Sequence, residues 1–346
     1  MNYIIILAGG IGSRFWPLSR QMQPKQFLNL CSSKPMIDEC LENISGLVGL
    51  DKVYVATNSL HGKKIGQCLN KFAIPRENIL LEPQGKNTLA PIALLTQRIY
   101  SHDKKAKIII LPCDHFVADK GRFIKKLKRG LKLTDNGYIL TLGFTPKRPE
   151  TGYGYIKAGL GRRDYYLVDK FVEKPDIKTA RRYLKDKRYY WNAGIFIFRA
   201  DAFLDELKVI KPQVYRIIAN IKNENGMRRY WKGLPNISID YAIMEKTKKA
   251  ALLPADYGWI DLGSWQAIEE IAKKDRSGNI LRGRCLDLGS RNILSWSDDR
   301  LVATVGLKDI IIVDTKDALL VCAKDKAQEV KKLVCRLKQG NYERQI

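Results

Sequence analysis

Short apolar runs alternate with longer amphipathic stretches through roughly the first 140 residues, and this alternation restricts the fold more than any other feature of the chain. Tyr3–Leu7, Val53–Ala56, Ile79–Leu81 and Lys107–Leu111 read as buried strands. Between them Asp38–Leu47, Ser59–Phe72, Thr88–Ser101 and Arg122–Leu133 carry helical periodicity. The pattern predicts an α/β fold with a mostly parallel central sheet covered by helices. From Tyr138 to Arg199 the strand-like runs lie closer together (Tyr138–Phe144, Tyr153–Ala158, Tyr165–Val172, Gly194–Arg199), which predicts antiparallel additions. Helical patterning returns at Ala200–Asn223, Ile239–Lys246 and Trp265–Lys274. Beyond the polar stretch Lys273–Gly278 come short β-like pieces, Asn292–Ser297, Leu301–Val305, Ile310–Val313 and Ala318–Cys322, and then a helical Asp325–Leu337. The expected organisation is one α/β domain over residues 1–275 and a small β-rich domain over 276–346.

Composition excludes several classes. At 346 residues, 45% hydrophobic and 28% charged, the chain can bury a substantial core and is not disordered. No apolar run approaches the roughly 20 residues of a membrane helix. Ile4-Ile5-Ile6-Leu7 is too short for a signal-peptide core and lacks a basic leader, so a cytoplasmic chain is expected, neither exported nor in a membrane. Seven scattered cysteines without a CxxC pair argue for reduced thiols and against a zinc cluster. Three histidines leave little for a multi-histidine metal site. The net charge of +25 suits anionic partners, yet it is equally what a lysine-rich solvated surface produces. No basic run interleaved with aromatics and no helix-turn-helix signature appears, so nucleic acid is not expected as a partner.

The first strand runs into Leu7-Ala8-Gly9-Gly10-Ile11-Gly12-Ser13-Arg14. Glycines let N–H groups approach an anion and Arg14 adds a positive fork, although spacing alone is also that of a tight strand–helix turn. A dinucleotide fingerprint fails because Phe15 stands where its third glycine belongs, and no P-loop string is present. Asp114 follows the strand Lys107–Leu111, and the Gly-rich loop and Glu82-Pro83 also follow strands. Carboxyl ends of strands are where open α/β sheets bind ligands, so all three are expected at one crevice. Read alone, Asp114 is also an ordinary turn acid, and His115 is better explained by packing than by ligation.

The loop continues into Pro17-Leu18-Ser19-Arg20 and Pro24-Lys25-Gln26. Further on come Glu82-Pro83-Gln84-Gly85-Lys86-Asn87-Thr88, Pro112-Cys113-Asp114-His115, Gly152-Tyr153-Gly154-Tyr155, Glu173-Lys174-Pro175, Trp191-Asn192-Ala193-Gly194, Asp240-Tyr241-Ala242 and Asp261-Leu262-Gly263-Ser264-Trp265. In this ordered series, spanning residues 3–265, the chain resembles the nucleotide-sugar pyrophosphorylases, and the mannose-1-phosphate guanylyltransferases in particular. The resemblance implies a Rossmann-like nucleotidyltransferase domain followed by a β-helix-like tail, and a homodimer. It implies that GMP passes from GTP to α-D-mannose 1-phosphate, giving GDP-mannose and pyrophosphate. Without the cupin-type isomerase domain of larger members, no isomerase activity is expected. Rival readings are the same chemistry on another sugar 1-phosphate or nucleotide, and a non-catalytic regulatory relative.

Such a reaction aligns two polyanions for in-line attack and needs no covalent nucleophile. By resemblance Arg14 and Lys25 hold the triphosphate, and Lys174 grips the sugar phosphate. Leu7, Gly9, Gly10, Gly12, Ser13, Glu82, Gly85, Asn87 and Thr88 are the implied nucleotide contacts. Gly154, Glu173, Asn192 and Glu245 are the implied sugar contacts, since carboxylates and amides bind paired hydroxyls. Asp114 and Asp261 resemble the family's ligands for Mg²⁺, an ion that prefers a few hard oxygens completed by phosphates and water. The family usually has arginine where Lys86 stands, so this position keeps the charge and loses the planar fork.

Overall fold

The computed structural model describes residues 1–340, 342, 345 and 346. Its strands are β1 (Asn2–Leu7), β2 (Val53–Asn58), β3 (Ile79–Glu82), β4 (Lys107–Pro112), β5 (His115–Val117), β6 (Ile139–Phe144), β7 (Tyr155–Gly161), β8 (Tyr166–Val172), β9 (Tyr189–Arg199), β10 (Ala250–Pro254) and β11 (Trp259–Asp261). They are followed by β12 (Ile280–Leu288), β13 (Leu294–Val305), β14 (Ile310–Asp314) and β15 (Leu319–Ala323). The helices are α1 (Met36–Asn43), α2 (Gly62–Asn70), α3 (Leu89–His102), α4 (Lys120–Leu133), α5 (Ile177–Lys185), α6 (Ala200–Ile210), α7 (Pro212–Ala219), α8 (Glu224–Tyr230), α9 (Trp265–Ile271) and α10 (Val330–Leu337). They group into two compact units that interleave along the chain. The first holds Met1–Gly9, Glu42–Cys113 and Val117–Trp259; the second holds Gly10–Leu41, Asp114–Phe116 and Ile260–Ile346.

The first unit is built on a sheet of order β3-β2-β1-β4-β9-β6-β10-β8-β7. β1 pairs in parallel with β2 and β4, and β2 with β3, so the expected parallel half is present. β1, β2 and β4 are buried on both faces: Ile4, Ile5 and Ile6 are all inaccessible to solvent, which is why they read as an unbroken apolar run. β9 then runs antiparallel to both β4 and β6, and β8 antiparallel to β7 and β10. The sheet is therefore mixed, with the antiparallel members in the segment whose strand spacing foretold them. The expected helix Ala200–Asn223 is divided into α6 and α7, because Pro212 has no N–H to continue a helix and suits a first helical position. The expected helix Ile239–Lys246 is a single wide turn with π-type bonding at Asp240–Met244, an arrangement that often marks a functional position.

In the second unit β12 pairs in parallel with β13 and β13 with β14, while β15 closes the set antiparallel to β14. Parallel rungs stacked in this way are β-helix-like. β12 lies outside the strands expected from sequence: Arg282, Gly283 and Arg284 interrupt its apolar pattern, and the register slips between Gly283 and Cys285. Two expected pieces, Asn292–Ser297 and Leu301–Val305, are one strand, β13. The core of this unit contains an aromatic cluster. Trp265 is fully buried, meets Phe15 edge-on with ring centroids 5.3 Å apart, and meets Trp296 at 5.6 Å. Its indole N–H donates to the Trp16 carbonyl at 3.3 Å. Trp265→Ala removes this packing and should cost about 3–5 kcal/mol of stability, read in urea unfolding, with Trp265→Phe recovering most of it. Equal midpoints for the alanine variant and the parent would show that the cluster does not hold the unit together.

Candidate functional site

In the second unit the loop after Gly9 closes on itself. Phe15 N–H and the Ser19 hydroxyl both donate to the Gly12 carbonyl, at 2.9 and 2.6 Å, and Lys25 N–H donates to the Ile11 carbonyl at 3.1 Å. Gly12 has φ 74°, and a Cβ there would lie 2.6 Å from the Lys25 Cβ. Only glycine satisfies both the positive φ and that approach. The Lys25 stem thus lies across the loop, and its ammonium pairs with Asp114 and reaches the Leu262 carbonyl at 3.4 Å. Leu262 N–H in turn donates to the Asp114 carbonyl at 3.1 Å, bringing Asp114 and Asp261 together across sequence.

Asp114, His115 and Asp261 each offer a donor atom, and these lie within 4.8 Å of one another. Burial works to raise the Asp114 pKa, but Lys25 and His115 outweigh it and the net shift is downward. Asp261 shifts upward, by burial and then by the Asp114 charge, against weaker pulls from Lys25, His115 and Arg14. Burial lowers the His115 pKa, against the raising pull of the Asp114 and Asp261 charges. Two half-buried carboxylates, one raised by burial and by its neighbour, are an arrangement that a divalent cation relieves. The oxygens suit a hard divalent cation, with the imidazole close by. Arg14 has a buried Nε without a hydrogen-bond partner among the described residues, so its guanidinium retains donor capacity for an anion.

In the first unit Glu82 closes β3 beside Gly9, where a Cβ would sit 3.6 Å from the carboxylate. Burial pushes Glu82 up to about 7, partly offset by the Lys86 N–H donating at 3.4 Å. The loop that follows is tied down by the Trp231 indole, which donates to the Gln84 carbonyl at 2.7 Å, and by Ile239 N–H, which donates to the Thr88 hydroxyl at 2.9 Å. Asn87 has φ 60° and its amide oxygen accepts the Thr88 N–H. Lys86, the departure from the family pattern, directs its ammonium to the Lys232 carbonyl at 3.1 Å. Gly85 has open space where a side chain would be. The Leu7 carbonyl accepts from Cys113 N–H at 3.1 Å, which ties the end of β1 to the residue before Asp114.

A second cluster in this unit joins Gly154, Glu173, Lys174, Asn192 and Glu245. Lys174 pairs with Glu173 at 2.9 Å and sits at φ 48°, a left-handed conformation costly for lysine. Glu173 is buried and its Oε2 has no hydrogen-bond partner among the described residues, which leaves an acceptor for a ligand hydroxyl. A Cβ on Gly154 would collide with that carboxylate and lie 3.2 Å from the Asn192 Cβ. Glu245 accepts the Glu173 N–H at 3.1 Å, so it orients this cluster from outside. Asn192 is held at both ends: its oxygen accepts from Thr141 at 2.9 Å and Gly194 N–H at 3.1 Å, and its amide donates to Asp240 at 2.8 Å.

Asp240 is the residue that sequence reasoning passed over, although it opens one of the quoted motifs. Burial and then the Glu173 charge push it up to about 7. His115 likewise stands in the carboxylate cluster, where sequence alone favoured packing. The signal for Asp240 was its place in the wide turn, which no periodicity reveals.

The model of the family described as nucleotidyl transferase matches residues 3–278, and that of the mannose-P isomerase/GMP-like β-helix domain matches residues 283–337. The chain therefore belongs to the nucleotidyl transferase family and is an enzyme. Two relatives place it among the mannose-1-phosphate guanylyltransferases of that family. The Klebsiella pneumoniae protein so named is 38% identical over 97% of this chain and 74% of its own length. That of Escherichia coli strain K12 is 36% identical over 99% of this chain and 75% of its own. A solved structure titled mannose-1-phosphate geranyltransferase from Thermus thermophilus superposes with a TM-score of 0.89 at 31% identity, covering 97% of this chain and 99% of that one.

Glu82 generates a pH prediction. Its folded pKa lies above the unfolded value, so between the unfolded value and about 7 the folded state holds the extra proton and stability falls as pH rises. Glu82→Gln should melt several degrees above the parent at pH 8 and alongside it at pH 4. Identical melting differences at both pH values would show that the carboxylate carries no burial penalty.

Proposed function

We propose that the chain transfers GMP from GTP to α-D-mannose 1-phosphate, releasing pyrophosphate and GDP-mannose, as the names of its relatives suggest. The observation that carries this reading is the intact, partly unspent polar machinery: Arg14 with donor capacity left, Lys25 set against Asp114, and Glu173 with a buried free acceptor. A retired site needs neither buried charge nor a lysine held at positive φ. Arg14 and Lys25 neutralise the triphosphate and stabilise charge building at the α-phosphorus, with Gly9, Gly10, Gly12 and Ser13 supplying close backbone approach. Lys174 holds the sugar phosphate, while Glu173 and the fixed Asn192 accept and donate to sugar hydroxyls beside Gly154. Glu82, when ionised, accepts from the N1–H and amino group of guanine, which adenine cannot supply. Asp114 and Asp261 would hold Mg²⁺, which when bound supplies charge neutralisation and polarises phosphoryl oxygen. Residues 1–275 carry the transfer and 276–346 form the small β-rich domain. A homodimer and a cytoplasmic site complete the reading; no helix of the described residues is long and apolar enough to cross a membrane.

The deciding experiment is pyrophosphate release by purified protein with Mg²⁺ and each nucleotide–sugar phosphate pair. GTP with mannose 1-phosphate should dominate, and equal turnover of ATP in competition would overturn the guanine assignment. Lys174→Ala should chiefly raise KM for the sugar phosphate. Lys25→Ala should chiefly lower kcat, by roughly a hundredfold, the usual cost of one transition-state contact of about 3 kcal/mol. Wild-type kinetics in both variants would refute these roles. Asp114→Asn and Asp261→Asn keep shape and lose charge, so folded variants should lose turnover or demand far more Mg²⁺. Normal turnover at low Mg²⁺ would remove both from the metal site.

A further inference from the structure

β3 ends the large sheet of the first unit: it pairs with β2 and with no other strand among the described residues. Along its other side runs a groove of about 1110 Å³, lined by Ile79, Leu80, Leu81 and Pro83 of the strand and its exit. Successive strand residues point to opposite faces, so an opening that touches three in a row follows the strand's edge. Backbone N–H and C=O groups on such an edge have only water as partner, and proteins usually blunt it with lysine, proline or a covering element. β3 carries neither lysine nor proline, and Leu81 is 41% exposed.

The rim is cationic. Lys63 on α2, Arg76, Arg98 on α3, Lys222 and Arg228 on α8 line the groove, against Glu77 and Glu224. In so basic a chain a few surface lysines would mean little. These five cations, however, make no ion pair among the described residues. Arg98 is half-buried, and burial lowers its pKa with only the Tyr54 hydroxyl acting the other way. A guanidinium desolvated without a carboxylate is a standing cost that an incoming anion removes.

The floor decides what kind of anion. Ile79, Leu80, Leu81, Pro83 and the buried Met227 make it apolar, and no aromatic side chain lines it. A nucleic-acid strand would use the cations and waste that floor, having nothing to stack on. A peptide of alternating acidic and apolar residues uses all three elements: backbone groups for the β3 edge, carboxylates for the rim, apolar side chains for the floor. We infer that the groove receives an extended acidic segment of a partner protein, added as a further strand on the free edge of β3. This goes beyond the nucleotidyl transfer proposed above and does not depend on it. At four residues, β3 offers pairing over about 13 Å, enough to fix register and leaving affinity to the charged rim.

The test uses the full chain and a fluorescein-labelled peptide of alternating glutamate and valine, with binding read by fluorescence anisotropy. The expected result is saturable binding that is lost when alternate backbone nitrogens are N-methylated in one register and kept when they are methylated in the other, since only one set faces β3. Charge reversal of exposed rim residues, Lys63→Glu with Arg228→Glu, should weaken it at least tenfold, with folding confirmed by circular dichroism. Should that pair fail to fold, Arg76→Glu is read in its place and should weaken binding severalfold. The inference is overturned if the peptide does not bind, if the N-methylated peptides bind equally well, or if the reversed variants bind unchanged. A single-stranded RNA of matched charge that binds tighter than the peptide and competes with it would also overturn it, and would make the groove a nucleic-acid surface.

Discussion

The polar cluster of the second unit turns on where the Lys25 ammonium is held. Its stem fills the space that a side chain at position 12 would need, and its head pairs with Asp114 while reaching the Leu262 carbonyl. The loop conformation, the lysine and the two acids are thereby mutually fixed. Moving any one leaves either a clash at Gly12 or a half-buried carboxylate without compensation, and both costs are larger than a surface salt bridge repays. The aromatic cluster of Phe15, Trp265 and Trp296 gives this arrangement a stiff backing, since Trp265 follows Asp261 closely and bonds the Trp16 carbonyl.

The first unit carries a different arrangement, an immobilised amide beside paired acids and a left-handed lysine. Asn192 is useful only if its amide cannot flip, and three hydrogen bonds, from Thr141, Gly194 and to Asp240, remove that freedom. Holding Asp240 beside Glu173 in a buried place raises its affinity for a proton, so the pair is spared two adjacent negative charges near neutrality. The left-handed Lys174 is a further cost accepted locally, and the surrounding ion pair and sheet supply the compensation.

Part of this was legible in the residues. The parallel half of the sheet could be read because strands buried on both faces leave unbroken apolar runs, as in Ile4-Ile5-Ile6. Gly12, Lys25, Asp114, Glu173, Lys174, Asn192 and Asp261 stood out through ordered motifs, and the structure sets them in two polar clusters, one in each unit. β12 was hidden because a half-exposed strand with a bulge at Gly283 shows neither clean alternation nor an apolar run. Asp240 was hidden because its wide turn reads as ordinary helix until the hydrogen bonds are seen.

By itself the sequence determined the local terms: which runs bury both faces and which glycines stand beside charged groups. These depend on side-chain chemistry and spacing, and neighbours along the chain are enough to express them. Tertiary structure alone decided the terms set by distance: that His115 joins Asp114 and Asp261, that Asp240 shares its burial with Glu173, and that β3 is left as an edge. Charge interactions and strand pairing act between groups brought near in space, and separation along the chain carries almost no record of that nearness.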